Sequence, residues 1–288
     1  MLARFIKYVI WIFLICSMAC LSMAETRVKI KPVVVKSISR EPNFDGRVTD
    51  EVWQTIDWQP INQVWIPYGQ EIPAADYSGQ FKIAWSPETS LLYFLVEIHD
   101  DVFMDGFDPA NAIPEVYQFD IIEIFIDPDH SGGLHVFNGT GETAAQWGAN
   151  AENAFAHHIY ASFPDSGKVT TACFSGDMSG TGWDNRISKN YANHFDSFAL
   201  RCEDNTAVWE LSLKVYSDTY DDSDPEASRV QLKAGMEMGI SLAYCDNDNP
   251  DEKPIERDHF FGSVHVEKKA YNDHWMNADD FGVMVLSK

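Results

Sequence analysis

Positive charge is scarce in this chain: Lys and Arg total 21 against 44 Asp and Glu, a formal net charge of −23 over 288 residues. That shortage excludes a binder of nucleic acid, which needs a basic face to neutralise phosphates. It equally excludes charge-driven docking on anionic lipid. Cysteine is scarce too, five in all, with no CxxC pair and no zinc-ligand spacing. There is no G-x-S-x-G, no H-E-x-x-H and no Gly-rich phosphate loop. No repeat, low-complexity tract or Pro/Ser-rich linker divides the chain, and beyond the N-terminus no apolar run approaches the ~20 residues of a membrane helix.

The N-terminus carries the pattern of an export signal. Arg4 and Lys7, with no acid nearby, precede the apolar run Val9–Cys16, and Ser22-Met23-Ala24 is a small-x-small cut site before Glu25. Residues 1–24 are expected to be removed as a secretory signal peptide, leaving 25–288 as one domain in the periplasm or outside the cell, not inserted in a membrane. Cys173, Cys202 and Cys245 then remain, an odd number in an oxidising compartment. Cys173 and Cys202 lie in successive strand-like runs and are the expected disulfide.

Short runs of β-branched and aromatic residues alternate with Gly/Pro/Asp/Asn clusters, the signature of strands and loops. Strands are predicted at 28–36, 80–85, 91–99, 121–127, 155–163, 168–174, 197–202, 206–215, 236–244 and 281–286, with a short helix over 50–56 capped by Thr49. The expected fold is all-β, an antiparallel two-sheet β-sandwich of jelly-roll or immunoglobulin-like architecture, with one or two short helices. Alternation puts Ile122, Ile124 and Ile126 on a core face and Glu123 and Phe125 on the other. It also puts His157 and His158 on opposite faces. Ala154, Ala156, His158 and Tyr160 share a face that resembles the floor of a groove.

Asp127-Pro-Asp129 before Gly132-Gly133 spaces oxygen ligands as calcium loops do, and Asp246-Asn247-Asp248 is similar, as is Asp221-Asp222-Ser223-Asp224. Asp127, Asp129, Asp246 and Asp248 are the candidate metal ligands, with calcium in a structural role. Trp65, Tyr117, Trp147, Trp183 and Trp275 fall outside clear strand alternation, where a flat ring is free to stack on an apolar sugar face. Trp53, Trp85 and Trp209 fall within helix or strand patterns and are assigned to the core.

Taken together these segments resemble carbohydrate-binding module family 9 and its DOMON-like relatives. The match rests on Phe44-Asp45-Gly46 through Asp50-Glu51-Val52-Trp53, on Asp76–Trp85 with Leu92–Val96, on Asp120-Ile121-Ile122-Glu123-Ile124-Phe125-Ile126-Asp127, and on Trp275 with Phe281-Gly282. The resemblance implies a calcium-supported sandwich that holds a sugar, at the end of a glycan chain, between two aromatic rings without cleaving it. By motif position the rings are Tyr117 and Trp275 and the slot carboxylate is Glu123. The family's slot arginine falls nearest His158. Tyr stands at 117 where the family has Trp. Tyr160 and His274 are additional candidates for ligand contact. The expected partners are a polysaccharide or oligosaccharide and the enzymes that degrade it.

Two other classes fit some of the same residues. A glycoside hydrolase or lyase could use Glu123, His158 and Tyr160, since a carboxylate, an imidazole and a phenol on one groove also suit acid–base chemistry. A heme-binding periplasmic electron carrier could use Met104 or Met276 with His158 as axial ligands.

Overall fold

The computed structural model describes residues 31–105, 116–133, 154–177, 189–249, 251 and 253–288. Pro32–Lys288 form one unit, whose regular structure is nearly all strand. In chain order these are β1 (Val33–Ser37), β2 (Gln59–Ile61), β3 (Gln63–Ile66), β4 (Tyr77–Ser86), β5 (Leu91–Asp100), β6 (Ile121–Asp127), β7 (Phe155–Tyr160), β8 (Val169–Thr170) and β9 (Phe174–Asp177). Then follow β10 (Lys189–Asn190), β11 (Phe195–Glu203), β12 (Thr206–Lys214), β13 (Glu237–Asp246), β14 (His259–Gly262) and β15 (Gly282–Ser287). Among the described residues the one α-helix, α1 (Glu51–Gln54), is capped by Asp50, which accepts from the Val52 amide at 2.9 Å. Asp50 therefore takes the capping place expected of Thr49, and the helix is shorter than 50–56.

The strands form one continuous sheet, β10-β9-β7-β6-β13-β15-β1-β4-β5-β12-β11-β8, with β14 joined to β13 and β3. The pairing is antiparallel except at β1, which runs parallel to both β15 and β4. On either side of β1 the sheet curls into two facing layers, the sandwich expected from the sequence. The main core lies between them. Phe81, Ile83 and Trp85 of β4, Leu92, Phe94, Val96 and Ile98 of β5 and Trp209 and Leu211 of β12 meet Ile122, Ile124 and Ile126 of β6 and Leu242 and Tyr244 of β13. The isoleucine face of β6 is core, as alternation predicts. Each such side chain, fully buried, contributes roughly 1.5–3 kcal/mol.

The opposite face of each layer is covered as well. Over β4, β5 and β12 the segment carrying Ile38, Phe44, Trp53 and Ile56 buries Tyr93, Leu95 and Val208. Over β6, β7 and β13, Trp65, Val266, Ala278 and Phe281 bury Ile121, Phe125, Ala156 and Cys245. Trp65 belongs to β3 and is core rather than loop. A Cβ on Gly262 would stand 2.0 Å from its ring, so the glycine is what lets the indole lie against β14.

The predicted strand 168–174 is two strands in different layers, β8 beside β11 and β9 beside β7. Residues 171–173 cross between the layers, and Cys173, like Cys202 in β11, packs against the main core. All three described cysteines are free thiols, so the disulfide expected between Cys173 and Cys202 is not formed. Burial pushes both of these thiols up to about 12.

Candidate functional site

Two features occupy the β6–β13 layer. The first lies on its outer face, around Glu123. The β6–β7 register sets Glu123 directly opposite His158, and the β6–β13 register sets it opposite Ala243. The His158 Nε2 and the Cys245 thiol stand 3.5 and 3.3 Å from the same carboxylate oxygen, Oε1. The other oxygen, Oε2, is buried with no hydrogen-bond partner among the described residues. A buried acceptor left unfilled costs about 1–3 kcal/mol, which marks Glu123 as a place where a donor is missing. The neighbouring His157 faces the other way and meets Ser175 at 2.9 Å.

The open groove floor expected here is not what the structure shows. Glu123 is 1% and His158 4% exposed, and Ala154, Ala156 and Tyr160 are buried with them, because Trp65 and residues 264–281 lie over this face. His274 is buried between Trp65 and Phe281, its ring 4.5 and 5.3 Å from theirs. Tyr160 is packed at 4.9 Å on Phe174. The expected stacking rings, Tyr117 and Trp275, are half-buried and both border this cluster. Trp147 and Trp183 lie outside the described residues, as does most of the two long loops containing them.

A guanidinium enters the same place from an unexpected segment. Arg257 donates through Nη1 to Cys245 Sγ at 3.0 Å and through Nη2 to Asn272 Oδ1 at 2.9 Å. Its Cζ stands 4.0 Å from the Phe260 ring centroid and 5.3 Å from that of Tyr117. Arg257 lies in the polar stretch before β14, which carries no periodicity. Its only sequence signal is a cation amid Asp and Glu.

The second feature is a carboxylate cluster at one end of the layers. Asp100 closes β5, Asp120 precedes β6 and Asp246 closes β13. Their oxygens lie within 4.8 Å of one another, and Asp76 with Asp101 and Asp248, or with Asp246 and His259, forms adjoining groups. Tyr244 donates its hydroxyl to Asp100 at 2.5 Å, the Asn247 amide donates to Asp120 at 2.9 Å, and His259 Nδ1 meets Asp246 at 2.7 Å. Asp246 is 2% exposed, yet among the described residues its Oδ1 has no hydrogen-bond partner, nor does Asp248 Oδ1, and Asp76 Oδ2 has only the ion pair with His259 Nδ1 at 3.9 Å.

Burial, then the charge of Asp246, pushes Asp100 up to about 8 and Asp248 up to about 7. Burial, then Asp100, raises Asp120 well above the usual carboxylate range. His259 is raised by its bond to Asp246. Desolvated carboxylates held this close repel one another unless a cation joins them. An all-oxygen donor set with unfilled lone pairs fits calcium.

Of the candidate ligands, Asp246 and Asp248 fall in this cluster. Asp127 and Asp129 lie in a separate turn, where Asp127 accepts from the Gly132 amide at 2.8 Å and Asp129 from the Ser131 amide at 3.1 Å. Among the described residues no third metal-ligating side chain joins them. Burial pushes Asp127 up to about 6. Asp221 likewise bonds its own turn, accepting from the Ser223 amide at 2.8 Å. Met104 is buried beside Asp120, to which its amide donates.

The family model described as "Carbohydrate family 9 binding domain-like" matches residues 44–288. Among solved structures, a family 9 carbohydrate-binding module from Caldicellulosiruptor kristjanssonii, solved in complex with glucose, superposes with a TM-score of 0.52 at 15% identity, covering 89% of this chain and 96% of that one. A Bacteroides uniformis protein described as a candidate carbohydrate-binding protein gives 0.49 at 13% identity, covering 90% and 100%. No curated protein matches the chain. The first likeness is one of fold: a curled, mostly antiparallel β-sandwich.

Proposed function

Since the chain belongs to the carbohydrate family 9 binding domain-like family, whose members are sugar-binding modules, we propose that it binds the end of a glycan chain without cleaving it. The observation that carries this reading is the buried Glu123, whose Oε2 lacks a donor on a face bordered by the half-buried rings of Tyr117 and Trp275. A sugar supplies both needs: a hydroxyl for the carboxylate and an apolar ring face for the aromatics. His158, 3.5 Å from Glu123, is a second group for a hydroxyl. Glucose in the Caldicellulosiruptor kristjanssonii module makes a hexose the first ligand to try.

Calcium is the proposed resident ion, held by Asp100, Asp120 and Asp246, with Asp76, Asp101 and Asp248 beside them. When bound it would supply positive charge to carboxylates that share one desolvated volume. The same elements serve the sugar site. Cys245 adjoins Asp246, and Gln118, the neighbour of Tyr117, accepts from the Arg257 amide at 2.8 Å and from Asn247 Nδ2 at 2.7 Å. The N-terminal export pattern supports a protein that acts outside the cytoplasm, on polysaccharide handled there together with degrading enzymes.

Isothermal titration against a panel of mono- and oligosaccharides tests the reading. Trp275→Ala should weaken binding by about 1–3 kcal/mol through the apolar area lost. Undiminished binding by that variant would sink the assignment of the ring. Release of product from polysaccharide by the purified chain, abolished in His158→Ala, would replace binding by catalysis.

A further inference from the structure

Glu123 and His158 lie beneath the surface, so the charged group nearest solvent at the proposed sugar site is a different one. Arg257 and Asn272 are half-buried, as are Tyr117 and Trp275. Among the described residues no carboxylate oxygen comes within the 4.0 Å of an ion pair with Arg257, in a chain where acids outnumber bases 44 to 21.

Arg201 and Arg229 also lack an acid partner, but each bonds two backbone carbonyls and so ties segments together. Arg201 reaches Asp45 and Gly167 at 2.9 and 2.6 Å, and Arg229 reaches Val215 and Ser90 at 3.2 and 2.8 Å. Arg257 bonds no backbone oxygen through its side chain. Its two acceptors are a thiol and a side-chain amide, both neutral. A guanidinium has five N–H donors, so three have no acceptor among the described residues. The rings of Phe260 and Tyr117 stand against it at 4.0 and 5.3 Å, which leaves the in-plane edge for a ligand. The group that matches such an edge is a planar carboxylate, through two parallel charge-assisted bonds.

We infer that Arg257 reads a carboxylate on the sugar, so that the site takes a glycan ending in a uronic acid in preference to one ending in a neutral hexose. This rests on the sugar-binding reading above and adds the ligand's charge to it. Glu123 stands on the far side of the Cys245 sulfur, where it is placed for hydroxyls rather than for the acid. The net charge of −23 repels an extended polyanion at long range. One terminal acid at the site is screened from that field beyond about 8 Å at physiological salt.

The test is titration calorimetry of the whole chain with two oligosaccharides identical except for a terminal uronate or the corresponding neutral hexose, in about 0.15 M salt. The wild type should favour the uronate about tenfold or more, the scale of one charge-assisted bidentate contact. Arg257→Gln should bring the two affinities together, and Arg257→Lys should restore only part of the preference, since a point charge lacks the fork. Unfolding curves of both variants separate a lost contact from a lost fold. Equal wild-type affinities, or a preference surviving in Arg257→Gln, overturn the role of Arg257 alone. Binding of neither sugar overturns the sugar-binding reading beneath it. A sulfate ester that gains as much as the uronate overturns the carboxylate in favour of a general anion seat.

Discussion

Each layer of the sandwich buries a glutamate on its outer face, and the two are treated in opposite ways. Glu210, on β12, is fully buried. Its Oε2 accepts from the Asp45 and Gly46 amides at 2.9 and 2.7 Å and its Oε1 from the Trp53 indole at 2.9 Å. Glu123, on β6, has a thiol and an imidazole near one oxygen and nothing on the other. A carboxylate whose oxygens are both filled by its own chain fastens a loop; here Glu210 pins the segment around Gly46 and Trp53 to the sheet. A carboxylate left with an unfilled oxygen contributes nothing comparable to the fold, and under the sugar-binding proposal that oxygen is the one a ligand hydroxyl would fill.

The strongest way to break this contrast is to remove each group. Glu210→Ala leaves two amides and an indole N–H without an acceptor and should cost about 3 kcal/mol or more of stability, read from urea unfolding. Glu123→Ala should shift stability by less than about 1 kcal/mol, because it removes few bonds, while lowering sugar affinity about tenfold or more. If Glu123→Ala unfolds the protein as Glu210→Ala does, the two glutamates are the same kind of residue and the contrast falls.

A smaller effect sharpens the comparison at the carboxylate cluster, the third place where acids are buried. Asp100 and Asp248 are pushed up to about 8 and about 7, against about 3.9 in an unfolded chain. In the metal-free protein the folded state then keeps protons that the unfolded chain has released. That contribution to stability is complete below about pH 4 and is lost as pH rises through 7 to 8. Calcium bound there would take the place of those protons. The gain in stability with calcium should therefore widen between pH 5 and pH 8.5, reaching about 2–3 kcal/mol at a hundredfold excess over Kd. Thermal unfolding with calcium or with chelator at the two pH values measures it. A gap that is absent, or unchanged with pH, removes the cluster as a calcium site.

The sequence carried the strands better than their surroundings. Ile121–Asp127 is a strand over those seven residues, and the alternation of its isoleucines locates the core, because period-two patterning states which residues share a face. Patterning cannot state whether the other face is covered. Trp65, His274 and Phe281 are remote from β6 in sequence, and their packing turned an expected groove floor into a second buried cluster. Strands β2 and β3 escape notice because they are short and Pro60 interrupts the run. Asp246 and Asp248 stood out as a loop motif. Asp76, Asp100 and Asp120 did not, since each ends or precedes a different strand and only the sheet order unites them. Arg257 was invisible for a related reason: nothing local distinguishes a cation that meets its aromatic neighbours across a fold.

The strand β1 has a consequence of a different kind. It is the seam of the sheet, parallel to β15 on one side and to β4 on the other, and it pairs Val33–Lys36 with Met284–Ser287. The two layers are thus stitched by the first and last strands of the domain. Such a pairing joins contacts at nearly the greatest sequence separation the chain allows, which makes it slow to form. The hydrogen-bonded seam between the layers therefore closes only when β15 lies beside β1. Loss of β15 would leave β1 paired with β4 alone and cut the hydrogen-bonded link from β1 to β13.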